Sequence, residues 1–358
     1  MRYAVIGCGR ISPNHIVAAQ KTGLEIVAIC DLLDAAMIDK RKRFELSEDT
    51  KLYNNYIEML NLEKPELVAI ATESGKHAQI AIDCIEHGCN VIIEKPIALS
   101  LEDADLIIEA GKKHNVKVCA CHQNRFNKSI QMIRDALEKG RFGKLLYGTA
   151  HIRWSRDHEY YDRASWRGTW EQDGGALMNQ CIHDIDLLRW MMGDDIVRVF
   201  GMTDRLKHDY IEAEDLGIAV VQFANGAYGV IEGTTNIYPK NLEETMYLFG
   251  DKGTVKAGGD AVNLLEEWNF SDYMDEPDKV KEECSELPPN VYGFGHTKLY
   301  RDVIDAIEKD RAPYVDGEAG RRALELVLAV YKSAATGEVV EFPLKNVSTM
   351  DFKGRFGD

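Results

Sequence analysis

No run of 18 apolar residues occurs in this 358-residue sequence, so no membrane-spanning helix is expected. Basic residues never form a run of five or more, and the formal net charge is −16. Such a chain would repel a polyphosphate backbone, which removes nucleic acid from the expected partners. The eight cysteines have neither disulfide-framework nor zinc-knuckle spacing. They are expected to be reduced thiols packed as small apolar groups, with no metal centre. Cys119 and Cys121 alternate along one strand face and are assigned to packing on the same ground. Internal repeats and low-complexity segments are also absent. A strand-like run begins at Arg2, close behind Met1, and is read as leaving no space for a leader peptide; a cytoplasmic location is the expectation.

What the sequence does contain is a globular composition, 45% hydrophobic and 28% charged, on a chain longer than one core normally serves. Two domains are expected. In the first part, strands at Tyr3–Ile6, Glu25–Cys30, Lys51–Tyr53, Leu67–Ile70, Asn90–Ile93 and Lys117–Ala120 alternate with helices near Pro13–Thr22, Leu33–Phe44, His77–His87 and Leu101–His114. Right-handed crossovers then require a parallel sheet covered on both faces. After Gln123, a helix over Lys128–Glu138 gives way to β-branched and aromatic runs at Leu145–Trp154, Leu216–Phe223, Gly229–Thr235 and Thr245–Phe249. Asn225-Gly226 is a hairpin signal between two of them. The acidic stretch from Asp272 to Glu286, followed by Pro288-Pro289, is expected to be surface loop. The fold class is therefore α/β. Residues 1–122 are expected to form a Rossmann-type, doubly wound parallel sheet, and residues 123–358 an α+β domain with an open, mainly antiparallel sheet.

The first strand runs into Gly7-Cys8-Gly9-Arg10-Ile11-Ser12, a G-x-G-x-x-S turn followed by a helix. Glycines there permit a tight turn and close approach of backbone amides to a pyrophosphate, whose charge the helix N-terminus favours. Ser12 before Pro13 is expected to be the N-cap. Asp31 follows at the end of the second strand, 22 residues after Gly9. A carboxylate at that place accepts hydrogen bonds from a ribose 2′-hydroxyl and repels a 2′-phosphate, so NAD is expected rather than NADP. Leu32 and Leu33 beside it offer no compensating cation.

Ile92-Ile93-Glu94-Lys95-Pro96-Ile97-Ala98 places a lysine at the carboxyl end of a strand that Pro96 must terminate. Ligands of doubly wound sheets bind outside those ends, where an ammonium polarises a substrate oxygen or exchanges a proton with it. In the second part, Gly174-Gly175 opens a helix expected to reach Met192, with Leu177, Cys181, Ile185, Leu188 and Met192 on its buried stripe. Asn179, His183, Asp186 and Trp190 fall together on another face, read as lining a cleft. Upstream, His151 to Trp170 gathers four arginines (Arg153, Arg156, Arg163, Arg167) and five aromatics (Trp154, Tyr160, Tyr161, Trp166, Trp170). Guanidinium groups suit carboxylate or phosphate and aromatic faces suit a sugar or base. Ion pairs with Asp157, Glu159 and Asp162 would account for part of this charge.

With Glu94-Lys95-Pro96, the glycine turn, and Gly174-Gly175 followed by Asn179 and His183, the chain resembles the Gfo/Idh/MocA oxidoreductases over essentially its whole length. The segments Gln123-Asn124-Arg125-Phe126, Arg153-Trp154 through Trp166-Arg167-Gly168-Thr169-Trp170, and Tyr292-Gly293-Phe294-Gly295-His296 resemble the UDP-N-acetylglucosaminuronate 3-dehydrogenases within it. That resemblance implies NAD-dependent oxidation of the C3 hydroxyl of a UDP-linked N-acetylated uronic acid, in bacterial surface-polysaccharide synthesis. It implies Lys95 and His183 as catalytic residues, either one taking the proton, and Asn179, Arg125, Arg153, Arg156, Tyr161, Arg163, Trp166 and Arg167 as substrate contacts. Asn179 stands where many relatives carry an aspartate; an amide orients but relays no proton. The cofactor site implied is Gly7, Gly9, Arg10, Ile11, Ser12, Asp31, Thr72, Ser74, His77, Glu94, Lys95 and Pro96. A 2-oxo acid as final hydride acceptor, and a homodimer or homotetramer built on the second domain, are implied as well. The rivals are dehydrogenation of another sugar or polyol and a non-catalytic dinucleotide sensor.

Overall fold

The computed structural model describes residues 1–193, 195–287 and 293–357. Pro288, Pro289 and Tyr292, which entered the reading above, lie outside them. The chain divides into two compact units, Met1–His122 with His296–Arg321, and Gln123–Gly295 with Arg322–Asp358. The first unit thus combines the N-terminal segment ending at His122 with a later segment, His296–Arg321.

In the first unit, strands β1 (Arg2–Ile6), β2 (Glu25–Cys30), β3 (Lys51–Tyr53), β4 (Leu67–Ile70), β5 (Asn90–Ile93) and β6 (Val118–Ala120) alternate with helices α1 (Ser12–Lys21), α2 (Asp34–Arg43), α3 (Tyr56–Glu63), α4 (His77–Glu86) and α5 (Leu101–His114). All pairings are parallel, in the order β3-β2-β1-β4-β5-β6. β4 is buried throughout and β5 nearly so, as strands covered on both faces must be. Helix α3 was missed because its eight residues are too few to show a helical period; Asn55 caps it, accepting from Ile57 and Glu58 amides.

The second unit contains α6 (Lys128–Glu138), β7 (Leu145–Arg153), α7 (His158–Asp162), α8 (Ile182–Met192), β8 (Ile196–Asp204), β9 (Leu216–Phe223), β10 (Tyr228–Thr234), β11 (Glu243–Gly250), β12 (Gly253–Gly258), β13 (Leu264–Phe270) and α9 (Pro277–Cys284). Helix α10 (Gly295–Glu308) belongs to the first unit from His296 onward. Helix α11 (Gly317–Thr336) and β14 (Val340–Glu341) follow. The sheet order is β13-β12-β11-β7-β10-β9-β8-β14, antiparallel except for β7 with β10. Asn225-Gly226 makes the β9–β10 hairpin turn, with Gly226 at φ +85°. The acidic stretch is not all loop: Pro277 starts α9 inside it.

Helix α8 packs on β7, β10 and β11. Glycines make that approach feasible: a Cβ on Gly148 would lie 2.8 Å from Met192 Sδ, and one on Gly233 2.7 Å from Cys181 Sγ. The sheet's other face alternates outward with apolar residues, including Phe200, Met202, Ile218, Val220, Tyr228 and Tyr147, all more than two-fifths exposed.

Candidate active site

Register brings the exits of four strands level in the first unit. Cys30 lies beside Ile6, Ile6 beside Ile70, and Ile70 beside Ile93. Gly7, Asp31, Thr72 and Lys95 therefore emerge along one carboxyl edge of the sheet. Gly7 has φ +96°, and a Cβ there would sit 2.5 Å from the Ala71 carbonyl oxygen, so this glycine is demanded by the neighbouring strand exit. Gly9 is different, since a Cβ would meet nothing within 4 Å, and the turn is open on that side. The Asp31 carboxylate anchors the turn by accepting from the Cys8 amide at 2.7 Å and from Leu33 at 2.9 Å. Arg10 is exposed beside Gly9.

Several residues expected at the cofactor site also have partners within the protein. Ser12 does not cap α1; its hydroxyl donates to Gly9 O at 2.9 Å, and Ile11 holds the cap position without a side-chain bond. His77 is buried, Nδ1 2.7 Å from Pro96 O and Nε2 3.2 Å from Thr72 O, so its ring ties two loops together. Glu94 is also buried, with Oε1 2.9 Å from His15 Nε2. Ser74 is buried at the start of a single 3₁₀ turn, while Thr72 and Lys95 are half-buried at the edge. These differences arise because a local motif fixes a residue's place along the chain but not its side-chain partners.

In the second unit the helix after Gly174-Gly175 does not keep one period. Residues Leu177–Cys181 form a wider π-helical turn before α8. Gly174 and Gly175 have φ +85° and +98°, and a Cβ on Gly175 would lie 1.8 Å from Glu214 Oε2. The wide turn interrupts the single 3.6-residue period expected for this segment. Asn179 donates to Asp173 Oδ1 and accepts from Gln180 Nε2 at 2.5 Å. His183, 8% exposed, has Nε2 3.3 Å from the Gln123 amide nitrogen, so that ring nitrogen accepts and the ring proton belongs on Nδ1. Trp190 is stacked between the guanidinium groups of Arg125 (4.6 Å) and Arg134 (4.7 Å).

The expected arginines separate into two kinds. Arg125 is buried in a bidentate pair with Asp186 at 2.7 and 2.6 Å. Arg153 is held by Glu232 and Glu243, both at 2.5 Å, and Arg163 by Glu159 at 2.7 Å. These three are neutralised by their own protein. Arg156 and Arg167 are not: among the described residues neither meets a carboxylate. Arg156 donates to Gln180 Oε1 from Nε (3.0 Å) and Nη2 (2.6 Å) and lies 4.7 Å over Trp154. Arg167 donates to the Tyr160 hydroxyl and lies 4.2 Å over that ring and 4.7 Å over Trp166. Gln180 Nε2 donates to the same Tyr160 hydroxyl at 2.9 Å. A small cavity opens beside this network, lined by Tyr160, Tyr161, Asp173, Asn179, Gln180 and Glu214. Tyr161 is buried there, 3.3 Å from Thr235 Oγ1, and burial raises its phenol pKa.

Residues 1–122 match the family described as the oxidoreductase family, NAD-binding Rossmann fold, and residues 134–342 match its C-terminal alpha/beta domain. The chain belongs to the Gfo/Idh/MocA oxidoreductase family. It is similar to the WlbA dehydrogenase of Bordetella pertussis, solved with NADH and UDP-GlcNAcA, at 38% identity over 96% of this chain and 98% of that one, TM-score 0.88. The WlbA dehydrogenase of Chromobacterium violaceum, solved with the same two ligands, is 37% identical over 96% of both chains, TM-score 0.87. Myo-inositol 2-dehydrogenase of Thermotoga maritima is 27% identical over 93% of this chain and 96% of its own.

As a Gfo/Idh/MocA member the chain is an NAD-dependent oxidoreductase, and its first unit fits that cofactor. The open side of Gly9 admits a pyrophosphate, and the anchored Asp31 carboxylate stands ready for a ribose diol. Leu32 and Leu33 are exposed and bring no positive charge to a 2′-phosphate. Sequence reasoning assigned no role to Asp173, Gln180 and Gln123. Their signal was proximity: Asp173 precedes the double glycine, and Gln180 follows Asn179 on the same turn.

Proposed function

We propose that this oxidoreductase oxidises the C3 hydroxyl of a UDP-linked N-acetylated uronic acid to the 3-keto sugar, serving bacterial surface-polysaccharide synthesis. The observation that carries this reading is the pair Arg156 and Arg167. Both are half-buried, both lie over aromatic faces, and both lack a carboxylate partner among the described residues of a chain whose net charge is −16. Two uncompensated guanidinium groups beside flat rings suit a ligand carrying both anionic groups and a sugar or base. An uncharged polyol has no use for them. The relatives solved with UDP-GlcNAcA support the same substrate class.

In the proposed reaction, NAD supplies the hydride acceptor at nicotinamide C4. His183 takes the hydroxyl proton at Nε2, the substrate hydroxyl replacing the Gln123 amide as the donor to that lone pair. Lys95 Nζ stabilises the negative charge that develops on the substrate oxygen. Asn179, committed to Asp173 and Gln180, holds the wall of the arginine pocket rather than relaying a proton. A 2-oxo acid such as 2-oxoglutarate is the proposed second substrate, leaving as the 2-hydroxy acid. The apolar outer face of the second unit's sheet supports a homodimer or homotetramer formed through it.

The test is absorbance of reduced nicotinamide on adding UDP-N-acetylglucosaminuronate, UDP-N-acetylglucosamine and myo-inositol in turn, with the oxidised carbon located by NMR. Reduction with the uronate alone, and a ketone at C3, is the expected result. Equal turnover of the uncharged compounds would overturn this reading in favour of a polyol dehydrogenase.

A further inference from the structure

Beneath Lys95, inside the first unit, lies a buried chain of polar side chains from three other elements. The Tyr3 hydroxyl of β1 is 2.8 Å from the Tyr300 hydroxyl of α10, which is 2.7 Å from His15 Nδ1 of α1; His15 Nε2 is 2.9 Å from Glu94 Oε1. Tyr3, His15 and Tyr300 are fully buried and Glu94 is 6% exposed. The second oxygen of Glu94 accepts the backbone N–H of Lys95 at 3.2 Å. His296 of α10, with Nε2 3.5 Å from Oε1, and the Cys121 thiol also face this carboxyl group.

Donor and acceptor counting gives the chain one direction. An ionised carboxylate only accepts, so a neutral His15 ring carries its proton on Nε2 and its Nδ1 accepts from Tyr300, which in turn accepts from Tyr3. Every hydrogen then has an acceptor. Burial alone would raise the Glu94 pKa, but the hydrogen bond from His15 and the nearby His296 imidazole outweigh it and hold the group well below the ordinary carboxylate range. A buried anion whose two oxygens are bound on opposite sides is a rigid bracket.

We infer that His15 is a positioning residue for Lys95: by orienting the Glu94 carboxylate, it fixes the backbone from which the lysine projects. His77 braces the next peptide, through Pro96 O at 2.7 Å. Lys95 is thus flanked by imidazole-supported contacts on both sides of its own short segment. The inference rests on the catalytic assignment of Lys95 for its kinetic consequence, but its structural content stands apart from the choice of substrate.

The experiment compares wild type, His15→Leu, His15→Gln and Tyr300→Phe. A glutamine amide places a donor near the position of Nε2, so it keeps the bond to Glu94, whereas leucine removes it. Amide hydrogen exchange of the peptide containing Glu94 to Ile97 is read first. Exchange should accelerate in His15→Leu, stay near wild type in His15→Gln, and shift slightly in Tyr300→Phe, while β1 and β2 peptides remain protected. On whichever alcohol substrate wild type oxidises, kcat of His15→Leu should fall about 10- to 100-fold with KM and NAD affinity nearly unchanged, and His15→Gln should recover most of it. Unchanged exchange at 94–97 in His15→Leu, or equal kcat in the leucine and glutamine variants, would overturn the inference. So would a stoichiometric transition metal in the purified protein, because His15, Glu94, Cys121 and His296 would then be ligands. Failure of the uronate reading alone would appear in wild type as turnover of a different alcohol and would leave the exchange result intact.

Discussion

Arg156 grips Gln180 with two nitrogens on a single amide oxygen, Nε at 3.0 Å and Nη2 at 2.6 Å. The contact orients the guanidinium without neutralising it, because an amide carries no charge. Arg156→Gln should therefore raise KM for a UDP-uronate by about 10- to 100-fold, the worth of one charge-assisted contact, with NAD affinity unchanged. Arg153→Gln, which breaks a pair already satisfied by Glu232 and Glu243, should affect stability more than KM. Steady-state kinetics and thermal melts of both variants separate the two kinds of arginine.

Lys95→Ala should lower kcat by about 100-fold or more, as expected for loss of a group that stabilises charge only in the transition state. NAD binding, followed by quenching of intrinsic fluorescence, should remain near wild type. Full turnover by this variant would remove Lys95 from the chemistry.

Asp31 discriminates between cofactors by charge. In Asp31→Ser combined with Leu32→Arg, kcat/KM for NAD should drop and that for NADP rise, each by about ten-fold. Because Asp31 also accepts the Cys8 amide at 2.7 Å, the double variant should lose some thermal stability.

Burial pushes the carboxyl groups of Glu214 and Asp184 up to about 8. Both folded-state values lie above the unfolded value of about 4, so folding favours their protonated forms. That stability is fully present below about pH 4 and is lost as pH rises towards 8. Melting temperature should accordingly fall between pH 5 and 8. Glu214→Gln keeps an oxygen for the Leu177 amide and the Tyr331 hydroxyl, both at 2.7 Å. It should flatten the slope by at most about 1.4 kcal/mol per pH unit, one proton's worth. A slope identical to wild type would mean that Glu214 is ionised in the folded protein.

Phe200 lies opposite Val220, and Met202 opposite Ile218, on the exposed sheet face. Ile218→Lys with Val220→Asp should leave the fold intact, since both side chains point outward, and convert the proposed oligomer to monomer in sedimentation velocity. An unchanged sedimentation coefficient would place the subunit interface elsewhere.

The first sheet was legible residue by residue because its strands are short apolar runs between clear turns, and the bounds at Glu25–Cys30, Leu67–Ile70 and Asn90–Ile93 match the expectation. β8, β12 and β13 went unread, for they are one-face-buried strands whose outward positions are filled by whatever the surface tolerates. Composition and motif spacing alone determined the succession of a parallel and a mainly antiparallel sheet, the Rossmann topology, and the place of Gly9, Asp31 and Lys95 at one sheet edge, since these follow from local period and chain order. Only tertiary structure decided which side chains are already spoken for. Arg153 and Arg125 meet carboxylates distant in sequence, Asn179 bonds Asp173 and Gln180 beside a π-helical turn, and Glu94 meets His15 of another helix. Whether a charge is buried, paired or left for a ligand depends on groups brought from other elements, and no spacing along the chain encodes that.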